Sequence, residues 1–139
     1  NGITEWVIID ATTRSLRKIE TTSYPNDVDW IKEKSIEDRF RRFKDDFTED
    51  DFVYKRLIRS GDIDVTHHVN NVTYITMLLD TFSVNELESM TLKDIEISYL
   101  NESLEGETLS IYRKKADDGY YFKIMKDDGK TAVMAYILL

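Results

Sequence analysis

The residue types able to do chemistry crowd into one short stretch of this chain. Asp62, Asp64, Thr66, His67, His68, Asn70 and Asn71 fall within one run of sequence, which holds both histidines of the chain. Imidazole changes charge near neutral pH and can relay a proton. A carboxylate nearby can act as a base, and burial near another carboxylate makes it a better one. Asn70 or Asn71 can cap a following helix, whose first N–H groups would face the same place. A plainer reading stands beside this one. His67 and His68 also suit turn and cap positions, Asp62 suits a turn, Thr66 can be an inert turn residue, and Asn70 and Asn71 can be caps alone. The chain has no cysteine, which removes disulfides, cysteine-ligated zinc and any thiol nucleophile.

Composition narrows the class. The chain has 139 residues, 41% hydrophobic and 33% charged, an ordinary globular balance with enough length for a buried core. A net charge of -8 argues against a nucleic-acid partner, although a local basic patch can still meet an acidic protein. No apolar run approaches the ~20 residues that cross a bilayer, so no membrane span is expected. The absence of cysteine fits a reducing compartment, and the expected location is cytoplasmic. Two matches to the glycosylation triplet, at Asn71 and Asn101, are discounted because nothing else suggests secretion.

These residues need elements to hold them. Residues 5–10 read as a strand, being rich in β-branched and aromatic types. Ile36, Phe40, Phe43 and Phe47 recur at helical spacing and predict an amphipathic helix within a linker, 23–51. Arg39, Arg41, Arg42 and Lys44 give its other face a basic cluster, either paired with Glu37, Asp38, Asp45 and Asp46 or free to dock an acidic partner. Residues 52–59 read as a strand, and 69–82 as a helix apolar around so much of its girth that it must be largely buried. Four strands are then predicted without another helix, over 92–101, 107–115, 120–126 and 131–139. Asp117-Asp118-Gly119 and Asp127-Asp128-Gly129 mark hairpin turns needing positive φ. Strand, buried helix and antiparallel meander make an α+β domain over 52–139, with the sheet wrapped around one long central helix.

The run Asp62-Ile63-Asp64-Val65-Thr66-His67-His68-Val69-Asn70-Asn71-Val72-Thr73-Tyr74 resembles a segment of the acyl-acyl carrier protein (acyl-ACP) thioesterases. Their usual form is Asp-x-Asp-x-Asn-x-His-Val-Asn-Asn with an aromatic residue shortly after. Trp6-Val7 with Thr13-Arg14, and Glu102-Ser103 after the strand around 95–99, resemble two further segments of that family. The resemblance implies the hotdog fold. It also implies that residues 1–22 end a preceding hotdog repeat, most of which is absent, and that the working form is a dimer or pseudo-dimer of hotdog repeats.

The same resemblance implies hydrolysis of a fatty-acyl thioester carried on the phosphopantetheine of acyl carrier protein, with no cofactor and no metal. Asp64, His68 and Glu102 match the family's catalytic positions, with Glu102 expected to activate water. Thr66 stands where the family usually has asparagine, offering one hydroxyl in place of an amide. His67, Asn70 and Asn71 are the expected substrate-side residues. Ser103 replaces a cysteine, so a thiol mechanism is excluded. Two other readings stay open: a non-catalytic acyl-binding hotdog module, and another hotdog enzyme such as an acyl-CoA thioesterase or a dehydratase.

Overall fold

The computed structural model describes residues 2–10, 12–13, 15–23 and 40–139. The chain divides into two compact units, Asn1–Arg39 and Phe40–Leu139. Within the described part of the first, β1 (Ile8–Ile9) pairs antiparallel with β2 (Leu16–Arg17). Asp10 closes their turn by accepting the Thr12 and Thr13 N–H groups, and it pairs with Arg17 at 2.9 Å. The strand predicted over 5–10 is therefore only two residues long.

The second unit is a five-stranded antiparallel sheet in the order β3-β5-β6-β7-β4. Its strands are β3 (Phe52–Leu57), β4 (Asp94–Tyr99), β5 (Thr108–Lys115), β6 (Gly119–Lys126) and β7 (Thr131–Leu138). Alternate residues point to opposite faces, so Leu109, Ile111, Phe122, Ile124, Val133, Ala135 and Ile137 form one buried face. That face packs on α1 (Asn71–Leu79) through Tyr74, Met77 and Leu78, with Phe82 beyond its end. This is the α+β hotdog arrangement expected from the sequence.

Two details of the helical part differ from the sequence reading. The central helix is nine residues, shorter than the predicted 69–82, because Val69 bridges to Ile63 and Asn70 is extended as the cap. Its buried face is Tyr74, Met77 and Leu78, and Val72 is 65% exposed. A second helix, α2 (Val84–Ser89), was not expected. Its signal was present as a capping box, in which Ser83 and Glu86 satisfy each other's backbone N–H groups.

The region read as an amphipathic helix also differs where it is described. Residues 40–48 are not helical. They form a strap across the sheet face opposite α1. Arg41 bonds Glu96 on β4 and lies 3.9 Å over the Tyr136 ring on β7. Asp45 holds Lys123 on β6 at 2.7 Å, and Asp46 holds Lys114 on β5 at 3.0 Å. Phe47 meets Tyr112 edge-on, at 6.4 Å between centroids. Arg41 is thus engaged with the sheet, and Asp45 and Asp46 pair with lysines of the sheet. Ile36, Glu37, Asp38 and Arg39 lie outside the described residues.

The two hairpin glycines also divide. Gly129 has φ +81°, as its turn requires. Gly119 opens β6 without positive φ, and a Cβ there would stand 1.9 Å from the Ile137 carbonyl oxygen. Gly119→Ala is expected to cost about 1–3 kcal/mol in urea unfolding, because two paired strands must separate to admit a methyl group. Gly61→Ala is the control, since nothing lies within 4 Å of its Cβ position.

Candidate active site

Residues 62–70 fold back on themselves as a tight hairpin. Ile63 and Val69 form the bridge, the Asp64 N–H donates to His68 O at 2.9 Å, and the His67 N–H donates to Asp64 O at 3.1 Å. This is a three-residue loop whose last residue must be left-handed. That residue is His67, at φ +64°, the sole described non-glycine with positive φ. Its ring is exposed at the tip. The base of the hairpin is held by Asp62, which is 8% exposed. Its carboxylate takes Arg56 at 2.6 Å and the Arg59 N–H at 2.9 Å, and its carbonyl takes the Asn70 N–H at 2.9 Å. Asp62 is thus a brace below the loop.

Above it, four predicted residues come into line. The Asp64 carboxylate accepts the Thr66 N–H at 2.8 Å and the Thr66 hydroxyl at 2.6 Å. The hydroxyl, and then the N–H, hold the Asp64 carboxyl below its usual range, so it is an anion at neutral pH. The Thr66 oxygen stands 3.3 Å from His68 Nδ1, and His68 Nε2 stands 3.2 Å from Glu102 Oε2. Asp64, Thr66, His68 and Glu102 form one continuous chain of contacts.

Hydrogen-bond accounting sets the proton inventory of that chain. The Thr66 proton is committed to anionic Asp64, so the Thr66 oxygen can only accept from His68. Nδ1 therefore carries hydrogen. Nε2, on the other side of the ring, faces the Glu102 carboxyl oxygen at 3.2 Å. Thr66 fixes the ring's tautomer.

The two loops are stitched by the next residues along, since the Val69 N–H donates to Ser103 O at 2.9 Å. Ser103 itself is fully buried, so its hydroxyl cannot meet a substrate. It faces the buried Tyr74 hydroxyl without a regular hydrogen bond. Asn70 is the helix cap, its side-chain oxygen accepting the Val72 N–H at 2.9 Å. The Asn70 carbonyl takes the Thr73 N–H at 2.9 Å. Asn71 is exposed in the first turn, with its N–H outside both of these bonds.

Sequence reasoning missed Lys126 and Glu107. The Lys126 ammonium donates to the Glu102 carbonyl at 2.8 Å and pairs with Glu107 at 3.1 Å. Glu107 also accepts the Leu104 N–H at 3.1 Å. Nothing near Lys126 in sequence marks it, because the contact spans 24 positions. Among the described residues, no group of three or more His, Asp or Glu side chains is arranged to hold a metal ion. No helix among them is long and apolar enough to cross a membrane.

Known proteins with this architecture are thioesterases in several cases. An acyl-ACP thioesterase from Bacteroides thetaiotaomicron is 19% identical with a TM-score of 0.69, over 94% of this chain and 52% of its own. A protein assigned as an oleoyl thioesterase from Lactobacillus plantarum is 24% identical with a TM-score of 0.64, over 93% of this chain and 52% of its own. A 1,4-dihydroxy-2-naphthoyl-CoA thioesterase from Synechocystis is 14% identical with a TM-score of 0.52, over 62% and 77% of the two chains. The chain thus spans about half the length of the first two. No curated protein is significantly similar in sequence. Residues 45–137 match the model of the acyl-ACP thioesterase C-terminal domain, which is most of the chain and includes every residue of the hairpin and of the Glu102 loop. The chain belongs to the acyl-ACP thioesterase C-terminal domain family.

Proposed function

We propose that this chain carries the hydrolytic half of an acyl-ACP thioesterase, with Glu102 and His68 as its acid–base pair. The observation that carries the reading is the Asp64–Thr66–His68–Glu102 line of contacts, which ends at an exposed carboxyl group. In the reaction, a water oxygen attacks the thioester carbonyl carbon and Glu102 takes the water proton. The carbon–sulfur bond then breaks. The departing sulfur takes its proton from the His68–Glu102 pair, giving free acid and thiol. The Asn71 N–H at the start of α1 is the candidate donor to the oxyanion. Asp64 and Thr66 act through His68 by holding its ring.

Membership of the family supports acyl carrier protein as the carrier. Three surface hollows among the described residues, of about 330–410 Å³, are lined by neither His68 nor Glu102. In this reading an acyl cleft next to the pair takes a second wall. β4 ends the sheet with one edge unpaired among the described residues, and Val72, Tyr99 and Leu100 are exposed near that edge. We assign the wall to a second hotdog unit there, in the same or another chain. That need also favours the alternative of an acyl-binding module that is inactive alone.

Thiol release from acyl-ACP and acyl-CoA separates these readings. Release from acyl-ACP well above that from acyl-CoA is expected. The reverse preference would make the chain an acyl-CoA thioesterase. Acyl binding without thiol release would establish the inactive module, and water addition without release a dehydratase.

A further inference from the structure

We propose that Lys126 is a positioning residue for Glu102, an inference that rests on the hydrolase reading given above. Glu102 sits on an exposed turn between β4 and β5, where a carboxylate would ordinarily sample many directions. The distance to His68 is nonetheless 3.2 Å, so something must hold the turn. The Val69 N–H fixes the Ser103 carbonyl on one side. Lys126 fixes the Glu102 carbonyl on the other, at 2.8 Å.

Lys126 is suited to this by its own confinement. It is the last residue of β6, and its side chain is 13% exposed. A lysine so covered must satisfy its ammonium locally. It does so with the Glu102 carbonyl and with Glu107, whose second oxygen takes the Leu104 N–H. One ammonium and one carboxylate thus clamp both ends of the 102–104 turn onto the rigid sheet. Sites held by such a supporting layer keep their geometry where free loops lose it.

The test uses Lys126→Met and Lys126→Arg in the full chain. The methionine variant is expected to lower kcat about tenfold to a hundredfold with KM nearly unchanged, as for a misplaced catalytic group. Arginine can donate to a carbonyl and a carboxylate together and is expected to restore most of kcat. Long-range proton–nitrogen spectra of the imidazoles supply a readout without substrate. The His68 Nε2 signal should move in the methionine variant and return in the arginine variant, with His67 steady as the internal reference. Unchanged His68 signals and kcat, with only a lowered Tm, would overturn the proposal. If the unsubstituted chain releases no thiol, the hydrolase reading fails and the His68 signal still decides about Lys126. Should Lys126→Met not fold, Glu107→Gln loosens the same clamp, and an unmoved His68 signal there would equally overturn it.

Discussion

Replacing Glu102 by glutamine is expected to lower kcat for thiol release about 100-fold to 10,000-fold, the range for losing a positioned acid–base group. KM should change little, because the amide keeps the size and place of the carboxylate. The glutamine NH2 can still donate to His68 Nε2. The ring therefore keeps its tautomer, and only the carboxyl group that would take the water proton is lost. Asp64, Thr66 and His68 act along one line with Glu102, so their losses should not add. Glu102→Gln combined with His68→Asn should be scarcely slower than the slower single variant. Independent losses that multiply would show that these residues do not act as one line. Wild-type rates for Glu102→Gln would remove Glu102 from the mechanism altogether.

Phe122→Ala is expected to cost about 3–5 kcal/mol of stability, seen as a lower denaturation midpoint in urea. Phe122 is fully buried at the centre of β6. Its ring meets Phe82 edge-on at 5.9 Å and tilts against Tyr120 at 6.5 Å. Truncation leaves a cavity between the sheet and the segment just after α1, and the paired strands on both sides of β6 resist its collapse. Total stability of a domain is only about 5–15 kcal/mol, so the variant should be near the edge of folding. A loss under about 1 kcal/mol would mean that this core relaxes around the gap.

How far the sequence led depends on which contacts were local. The four strands after the helix were legible because their alternation is built into adjacent residues and their turns carry Asp-Gly. The hairpin holding Asp64 and His68 was legible as a motif, but its geometry was not. The left-handed position went to His67, a residue weighed both for chemistry and for a turn. Thr66, which differs from the family's usual asparagine, has a place of its own: its hydroxyl spans Asp64 and His68.

The strap shows why some of the pattern misled. Phe40, Phe43 and Phe47 have helical spacing, yet Arg41, Phe43, Asp45 and Phe47 have the period of an extended chain. Both periods are present in the same few residues. The sheet decides between them, by offering Tyr136, Lys123 and Tyr112 as partners to the second set. Those partners lie far along the chain, where no window of local sequence reaches. Lys126 escaped notice for the same reason.

That distance also sets the order in which the molecule can be assembled. The strap's hydrogen-bond partners lie 55 to 80 positions away, at Glu96, Lys114, Lys123 and Tyr121. It cannot be seated until β4, β5, β6 and β7 stand side by side, because it touches all four. The first segment of this unit in the chain is therefore expected to settle only after those four strands have paired. Contacts of such long range are the slow ones in folding. Until they close, the sheet lacks the cover that the strap gives this face.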